Sequence, residues 1–216
     1  MGDHRDQLVD LLRQKPSNSG LQRLIQQVEQ KQPADLTTSA GLLRGVWELH
    51  WSNSQQPWLK PSDRLENLQI LDPEQGRGCN LLRLRGPLSA PGGIRVQAEL
   101  KVASSKRVMV WFLQGGWIGP SLQNYQQLKL MRQVQQSTPA WLDITVLDEQ
   151  LRICRGNAGT TFALLKRNDL ALSTFLMYVD SQTQLEFASN LSQNRRACIP
   201  FDGSPSSASA GVQQQR

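Results

Sequence analysis

Ile94-Arg95-Val96-Gln97-Ala98-Glu99-Leu100-Lys101-Val102 alternates without a break, apolar at the even positions and polar or charged at the odd ones. A period of two belongs to a strand, and a strand with one wet face belongs to an antiparallel sheet, since parallel strands are covered on both sides. The pattern predicts Ile94, Val96, Ala98, Leu100 and Val102 pointing inward. A slip of one residue would turn the whole set outward.

The same period extends to either side. Upstream, Gly45-Val46-Trp47-Glu48-Leu49-His50-Trp51 sets Trp47, Leu49 and Trp51 opposite Glu48 and His50. Arg64–Leu71 and Asn80–Arg85 are further strand candidates, parted by a turn at Asp72-Pro73-Glu74-Gln75-Gly76. Downstream, Lys106–Gly116 is apolar on both faces, which asks for a cover outside the sheet as well as a core inside it. The economical cover is the N-terminal pair of predicted helices, 4–14 and 19–31, the second with Leu21, Leu24, Ile25 and Val28 on one face. Tyr125–Gln135 reads equally as helix or strand. Trp141–Leu147, Leu151–Cys154 and Thr160–Leu165 complete the set, with turns at Asp148-Glu149 and Asn157-Ala158-Gly159.

Seven or eight short strands with no helical crossover between them predict a mostly β fold: an antiparallel β-barrel with N-terminal α-helices. The expected divisions are a helical segment over 1–41, a barrel over 42–167, an extension over 168–202 and a disordered tail over 203–216, where Ser-Pro-Ser-Ser-Ala-Ser-Ala is low in complexity.

Hydrophobic residues make up 38% of the 216 and charged residues 19%, a composition for a packed core rather than a charge-rich disordered chain. Lysine and arginine total 24 against 18 acidic residues, a net charge of +6 that suits an anionic partner. Three widely separated cysteines, Cys79, Cys154 and Cys198, fit a reducing compartment better than a disulfide framework. The first residues contain no secretory signal, and no stretch reaches the ~20 apolar residues of a membrane span.

Catalytic and metal motifs do not emerge. His4 and His50 are the two histidines, and no nucleophile elbow, P-loop or dinucleotide fingerprint is present. Asp143, Asp148 and Glu149 read as turn and ion-pair residues rather than an acid–base pair. The expectation is a protein without catalytic residues, metal or cofactor.

Two stretches carry a family likeness. Leu43-Arg44-Gly45-Val46-Trp47-Glu48-Leu49 resembles the L-x-G-x-W-x-L opening strand of the plastid lipid-associated proteins, or fibrillins. Trp141-Leu142-Asp143 through Leu147-Asp148-Glu149-Gln150-Leu151-Arg152-Ile153-Cys154-Arg155-Gly156, followed by Phe162-Ala163-Leu164-Leu165, is similar to that family's closing signature. Val146 stands where the family usually has tyrosine. The resemblance covers about residues 20–167 and implies a lipocalin-like barrel associated with prenyl quinones, carotenoids or other lipids, and with photoprotection. The lack of a transit peptide suits a cyanobacterial-type homologue, cytoplasmic or peripheral to thylakoid membranes or lipid globules.

The leading functional expectation is therefore a non-catalytic protein that binds an apolar lipid or isoprenoid, or coats a lipid surface. Trp51, Val96, Ala98, Leu100, Val110 and Phe112 are the expected lining of the cavity. Gly45, Trp47, Asp143, Asp148, Arg152, Arg155 and Gly156 are the structural signature, with Trp47 as a plug beneath Lys166 or Arg167, and Asp143 bonded to Arg152 or Arg155. Arg83, Arg85, Arg95, Lys101 and Arg107 offer contacts to anionic membrane headgroups. A basic barrel that binds nucleic acid is the less favoured alternative, because the aromatics do not share a face with the arginines. A ligand-free structural protein is the third reading.

Overall fold

The computed structural model describes residues 3–15, 17–86, 92–121 and 127–176. Two helices come first, α1 (His4–Gln14) and α2 (Leu21–Lys31), followed by the one-turn α3 (Leu36–Ser39) and a 3-10 turn over Ala40–Leu43. Asp3 caps α1 through its side chain, and Leu8, Val9 and Leu12 form its buried stripe. Nine strands follow: β1 (Gly45–Ser52), β2 (Leu65–Asp72), β3 (Arg77–Leu84), β4 (Gly93–Val102), β5 (Arg107–Ser121), β6 (Gln127–Gln133), β7 (Ala140–Leu147), β8 (Leu151–Gly156) and β9 (Thr161–Lys166). A last turn of helix, α4, spans Ser173–Leu176.

All pairings are antiparallel. The order β4-β3-β2-β1-β9-β8-β7-β5-β6, with β4 also paired to β5, makes a ring of eight strands from which β6 hangs on β5. The lower end of β5 holds β7 through Arg107–Val110, while its upper end leaves the ring and pairs with β6 from Gln114 to Ser121. The ambiguous Tyr125–Gln135 stretch thus becomes a strand over Gln127–Gln133.

The interior is one apolar cluster that includes Trp47, Leu49, Ala98, Leu100, Val108, Val110, Ile144, Cys154, Phe162 and Leu164. Ala34, Leu36 and Leu43 join it from the segment between α2 and β1, which closes one end of the ring. Sequence patterning missed this stopper, because α3 and the 3-10 turn are too short to show a period.

The two long helices lie outside. Their stripes pack with Val146, Leu151, Ile153, Ala163 and Leu165, the outward residues of β7, β8 and β9. This corrects the expectation that they cover β5. The closing hairpin offers them a continuous outward apolar row. Two ion pairs fasten them there: Arg5 to Asp148 at 2.8 Å and Arg155 to Glu29 at 2.6 Å. A third cluster, Val46, Leu68, Ile70, Cys79 and Leu81 on the outside of β1–β3, is covered by Phe175 of α4.

The alternation of β4 holds for Ala98 and Leu100, both buried inward, but burial departs from expectation at its start. Ile94 is 53% exposed and Arg95 only 6%. Arg95 lies on the outer face as predicted, yet α4 covers it. Its guanidinium donates to Cys79 Sγ at 3.2 Å and to the Phe175 carbonyl. The tail over 203–216, and the extension beyond Leu176, lie outside the described residues.

Candidate functional site

The strands leave a cavity of about 320 Å³ inside the ring. Its walls are Leu71 from β2, Ala98 and Leu100 from β4, Val110 and Phe112 from β5, Leu142 from β7 and Phe162 from β9. Gly78 keeps β3 clear of it, since a Cβ there would stand 3.0 Å from the Leu100 side chain. Polar groups gather toward one end, Ser54 and Gln56 from the β1–β2 connection and Asn157 and Thr160 from the β8–β9 turn. Gln69 and Asn80 add two amides to the wall. An apolar volume with a few placed polar groups is the form of a small-molecule site, at the lower end of the usual size range.

Four of the six predicted lining residues, Ala98, Leu100, Val110 and Phe112, stand where the alternation put them. The other two do not. Val96 pairs with Asn80 and Gly115 above the cavity and is absent from its wall. Trp51 is turned outward by a bulge in β1: Leu49 faces Leu164 but Trp51 faces Ala163, leaving His50 as the extra residue. Trp51 accordingly packs with the helix-covered cluster outside the ring. The bulge was not legible, because Trp47, Leu49 and Trp51 keep perfect alternation in sequence. Leu71, Leu142 and Phe162 belonged to strands already predicted, and only their facing direction was needed to find them.

The interior of the ring beside the cavity holds an aromatic and cationic group. Trp47 is fully buried and its indole N–H donates to the Leu43 carbonyl at 2.8 Å. Lys166 lies 5.2 Å from its ring centre, the predicted cation–π cover, and Arg152 lies at 5.1 Å. Gly45, at φ 143°, gives Lys166 its room: a Cβ there would come within 2.7 Å of Lys166 Cε. Arg152 is fully buried and donates from Nη2 to Gln69 Oε1, the amide that also lines the cavity. Its Nε and Nη1 have no hydrogen-bond partner among the described residues. Burial pushes this guanidinium's pKa down from its ordinary value.

Asp143 is not bonded to Arg152 or Arg155. It faces Arg107 across the β5–β7 pairing and accepts two hydrogen bonds from it. Arg155 turns instead to Glu29 of α2. Asp148 accepts from the backbone N–H of Gln150 and of Leu151 at 2.7 and 2.8 Å and caps the β7–β8 turn while it holds Arg5. Gly156 closes the next turn through its N–H to the Thr160 carbonyl at 2.8 Å.

The arginines expected to face a membrane are largely occupied. Glu48 and Glu66, both buried on the outer face, take Arg83, Arg85 and Arg167 between them. A wider groove of about 1040 Å³ runs between α1 and β1 past Arg13, His50, Trp51 and Lys60. His50 Nδ1 is 3.0 Å from the Leu12 carbonyl, and burial lowers its pKa, so the ring is neutral at pH 7 and serves as a tie between α1 and the sheet. Among the described residues no group of three or more His, Cys, Asp and Glu is placed to hold a metal ion. Burial raises the pKa of both Cys79 and Cys154, which leaves them as unreactive thiols. No described helix is long and apolar enough to cross a membrane.

An inward Gly-x-Trp at the closed end, a ring of antiparallel strands and the β7–β8 hairpin signature now stand together. The family model PAP_fibrillin matches residues 10–165, from within α1 to the last strand. The chain belongs to this family. It is 26% identical over 200 residues to the probable plastid-lipid-associated protein 1, chloroplastic, of Arabidopsis thaliana, covering 71% of this chain and 63% of the relative. It is 29% identical over 190 residues to the light-induced protein, chloroplastic, of Solanum demissum, and 30% identical to that of Solanum tuberosum, each covering 66% of this chain and 58% of the relative. The chain thus spans about six-tenths of the length of these curated relatives.

Proposed function

We propose that this chain is a non-catalytic lipid-binding protein whose sheet ring takes the head or the first isoprene units of a prenyl quinone, carotenoid or similar lipid. The observation that carries this reading is the walled apolar cavity with its amides and hydroxyls confined to a few positions. Burying apolar surface there gains about 25 cal/mol per Å². Gln69, Asn80 and Thr160 offer hydrogen bonds to a carbonyl or hydroxyl at the end of an otherwise apolar molecule.

Size supports a partial fit. At about 320 Å³ the cavity stands at the lower end of the range for small-molecule sites, too small to enclose a whole long-chain isoprenoid. The remainder of such a chain would leave by the open end, where the 54–59 connection and the β8–β9 turn form the rim. The names of the relatives, plastid-lipid-associated and light-induced, both chloroplastic, favour a lipid partner; a photoprotective role beside thylakoid membranes or lipid globules is part of this proposal.

The inward-facing Trp47 provides the signal for the test. Titration with a prenyl quinone should quench tryptophan fluorescence in the wild type, and Ala98→Phe, at the cavity wall, should remove most of the quench while the protein still folds. A wild-type protein whose fluorescence no prenyl quinone or carotenoid alters would overturn the reading.

A further inference from the structure

We propose that the splayed upper end of β3–β6 is a docking edge that seats the open end of the ring on an anionic lipid surface. The inference rests on the reading of the interior as a lipid site, because it assigns the surface from which the lipid would enter.

A row of apolar residues runs straight across this part of the sheet. Leu82 pairs with Ile94, Ile94 with Trp117, and Trp117 with Leu130, so four side chains from four strands lie side by side. At about 4.8 Å per strand the row is some 14 Å long. In a core these residues would be covered, yet Ile94 is 53%, Trp117 42% and Leu130 71% exposed. Val134, 39% exposed, extends the patch beside Gly115. Trp58, 55% exposed, is joined to the β2 end of the row by Asn67, which donates to the Trp58 carbonyl at 2.8 Å and pairs with Leu82. Contiguous exposed apolar side chains of this kind mark an interaction surface.

The backbone makes this exposure unavoidable. Beyond Val110, β5 has no pairing with β7, and a bulge at Leu113 carries its upper end away from the ring. Gly116 then lets β6 approach closely: a Cβ there would stand 1.9 Å from the Leu130 carbonyl oxygen. The row therefore sits on the continued inner face of the sheet, beyond the last pairing of β5 with β7. It shares its end of the ring with the cavity mouth, since β1, β3 and β8 end there and β2, β4 and β9 begin there.

Charge selects the occupant. Arg132, two residues from Leu130 and on the same face of β6, lies exposed, as do Lys60 and Arg64 near Trp58, with Asp63 the one exposed acid between them. The described residues of β5 and β6 contain no acid. An apolar edge with a tryptophan, framed by lysine and arginine, matches a surface of apolar chains beneath anionic headgroups. The two basic residues on β6 also discourage edge-to-edge pairing with a second copy of the chain.

Flotation of the full chain with vesicles tests this. Wild type should partition onto vesicles of phosphatidylcholine with a third phosphatidylglycerol, and at least tenfold less onto phosphatidylcholine alone. The Ile94→Ser/Trp117→Ser/Leu130→Ser variant should lose at least tenfold of the partition on the anionic vesicles. Leu130→Ser alone, at the most exposed position, gives the same sign should the triple variant not fold, and Arg132→Gln should reduce binding without loss of fold. A wild type that ignores the anionic vesicles overturns the proposal, as does a triple variant that folds and binds undiminished. A wild-type dimer that dissociates in the triple variant assigns the patch to a second copy and overturns it too. Titration of the interior with a short-chain prenyl quinone separates the two readings. Vesicle binding with an empty interior supports the docking edge while the lipid-site reading fails, and quinone binding without vesicle binding sinks the docking edge alone.

Discussion

Arg107 and Asp143 close the ring: across the four-residue contact between β5 and β7, Nε donates to Oδ1 at 2.7 Å and Nη2 to Oδ2 at 2.8 Å, and the guanidinium lies 4.1 Å from the Trp141 ring centre. A paired fork of this kind is specific in geometry as well as sign. The Asp143 carboxyl is held below the ordinary aspartate range by the hydrogen bonds from Arg107, which outweigh the upward effect of burial. Arg107→Ala and Asp143→Asn should each lower Tm, and the double variant by no more than the larger single effect. Because the folded pKa is depressed, the stabilisation is present above about pH 4 and lost as pH falls through the folded value. Thermal melts from pH 7 to pH 3 on wild type and Asp143→Asn check this, the two curves converging at low pH.

Trp47 is fully buried in the ring interior and should behave as core. Trp47→Ala should cost about 3–5 kcal/mol in chemical denaturation, the range for a fully buried aromatic. Trp51→Ala, outside the ring and only partly buried, should cost less and leave quinone affinity unchanged. That ordering reverses the sequence-based expectation for Trp51, and a fall in affinity on Trp51→Ala would restore it.

The buried carboxylates Glu48 and Glu66 bind Arg83, Arg85 and Arg167 and so fasten the chain after β9 to the outer sheet face. Removing one charge leaves the arginines partly solvated, so Glu66→Gln should cost roughly 1–3 kcal/mol rather than the full value of a broken interior pair. Burial would raise the Glu66 carboxyl, but hydrogen bonds from Arg83 and Arg167 hold it below the ordinary glutamate range. Its contribution is therefore lost at acid pH, as pH falls below about 4.3 and through the folded value.

His50 adds a loss nearer neutrality. Its folded pKa is depressed, first by burial, so the unfolded chain binds the proton more readily. Stability should fall as pH drops below about 6.5, and His50→Gln should flatten the melting-temperature profile between pH 7 and 5. An unchanged slope in that variant would show that His50 is not the titrating group.

The strands and the inward direction of Ala98, Leu100, Val110 and Phe112 were legible because each strand keeps its period of two against a one-sided core. What was hidden is one-residue irregularity. The bulge at His50 turns Trp51 outward with no trace in the alternation, and the bulge at Leu113 releases the upper end of β5. Arg95 was placed on the correct face, but its burial comes from α4, a four-residue helix whose docking no local pattern announces. The partner of Asp143 was sought in its own hairpin, where Arg152 and Arg155 lie nearest in sequence. The ring closure brought Arg107 from 36 residues away instead.

The central claim, that the ring interior holds an apolar ligand, is tested most directly by organic extraction of purified full-length protein followed by mass spectrometry, with Ala98→Phe alongside. Ala98 is the smallest inward side chain of its strand at the cavity wall, and a phenyl group there would occupy the ligand's space with limited strain because the volume is open. Wild type should release a prenyl quinone, carotenoid or other lipid in near-stoichiometric amount, or take one up on incubation, and Ala98→Phe should hold at most a tenth as much while melting as a folded protein. Empty wild-type extracts before and after incubation with such lipids would contradict the account.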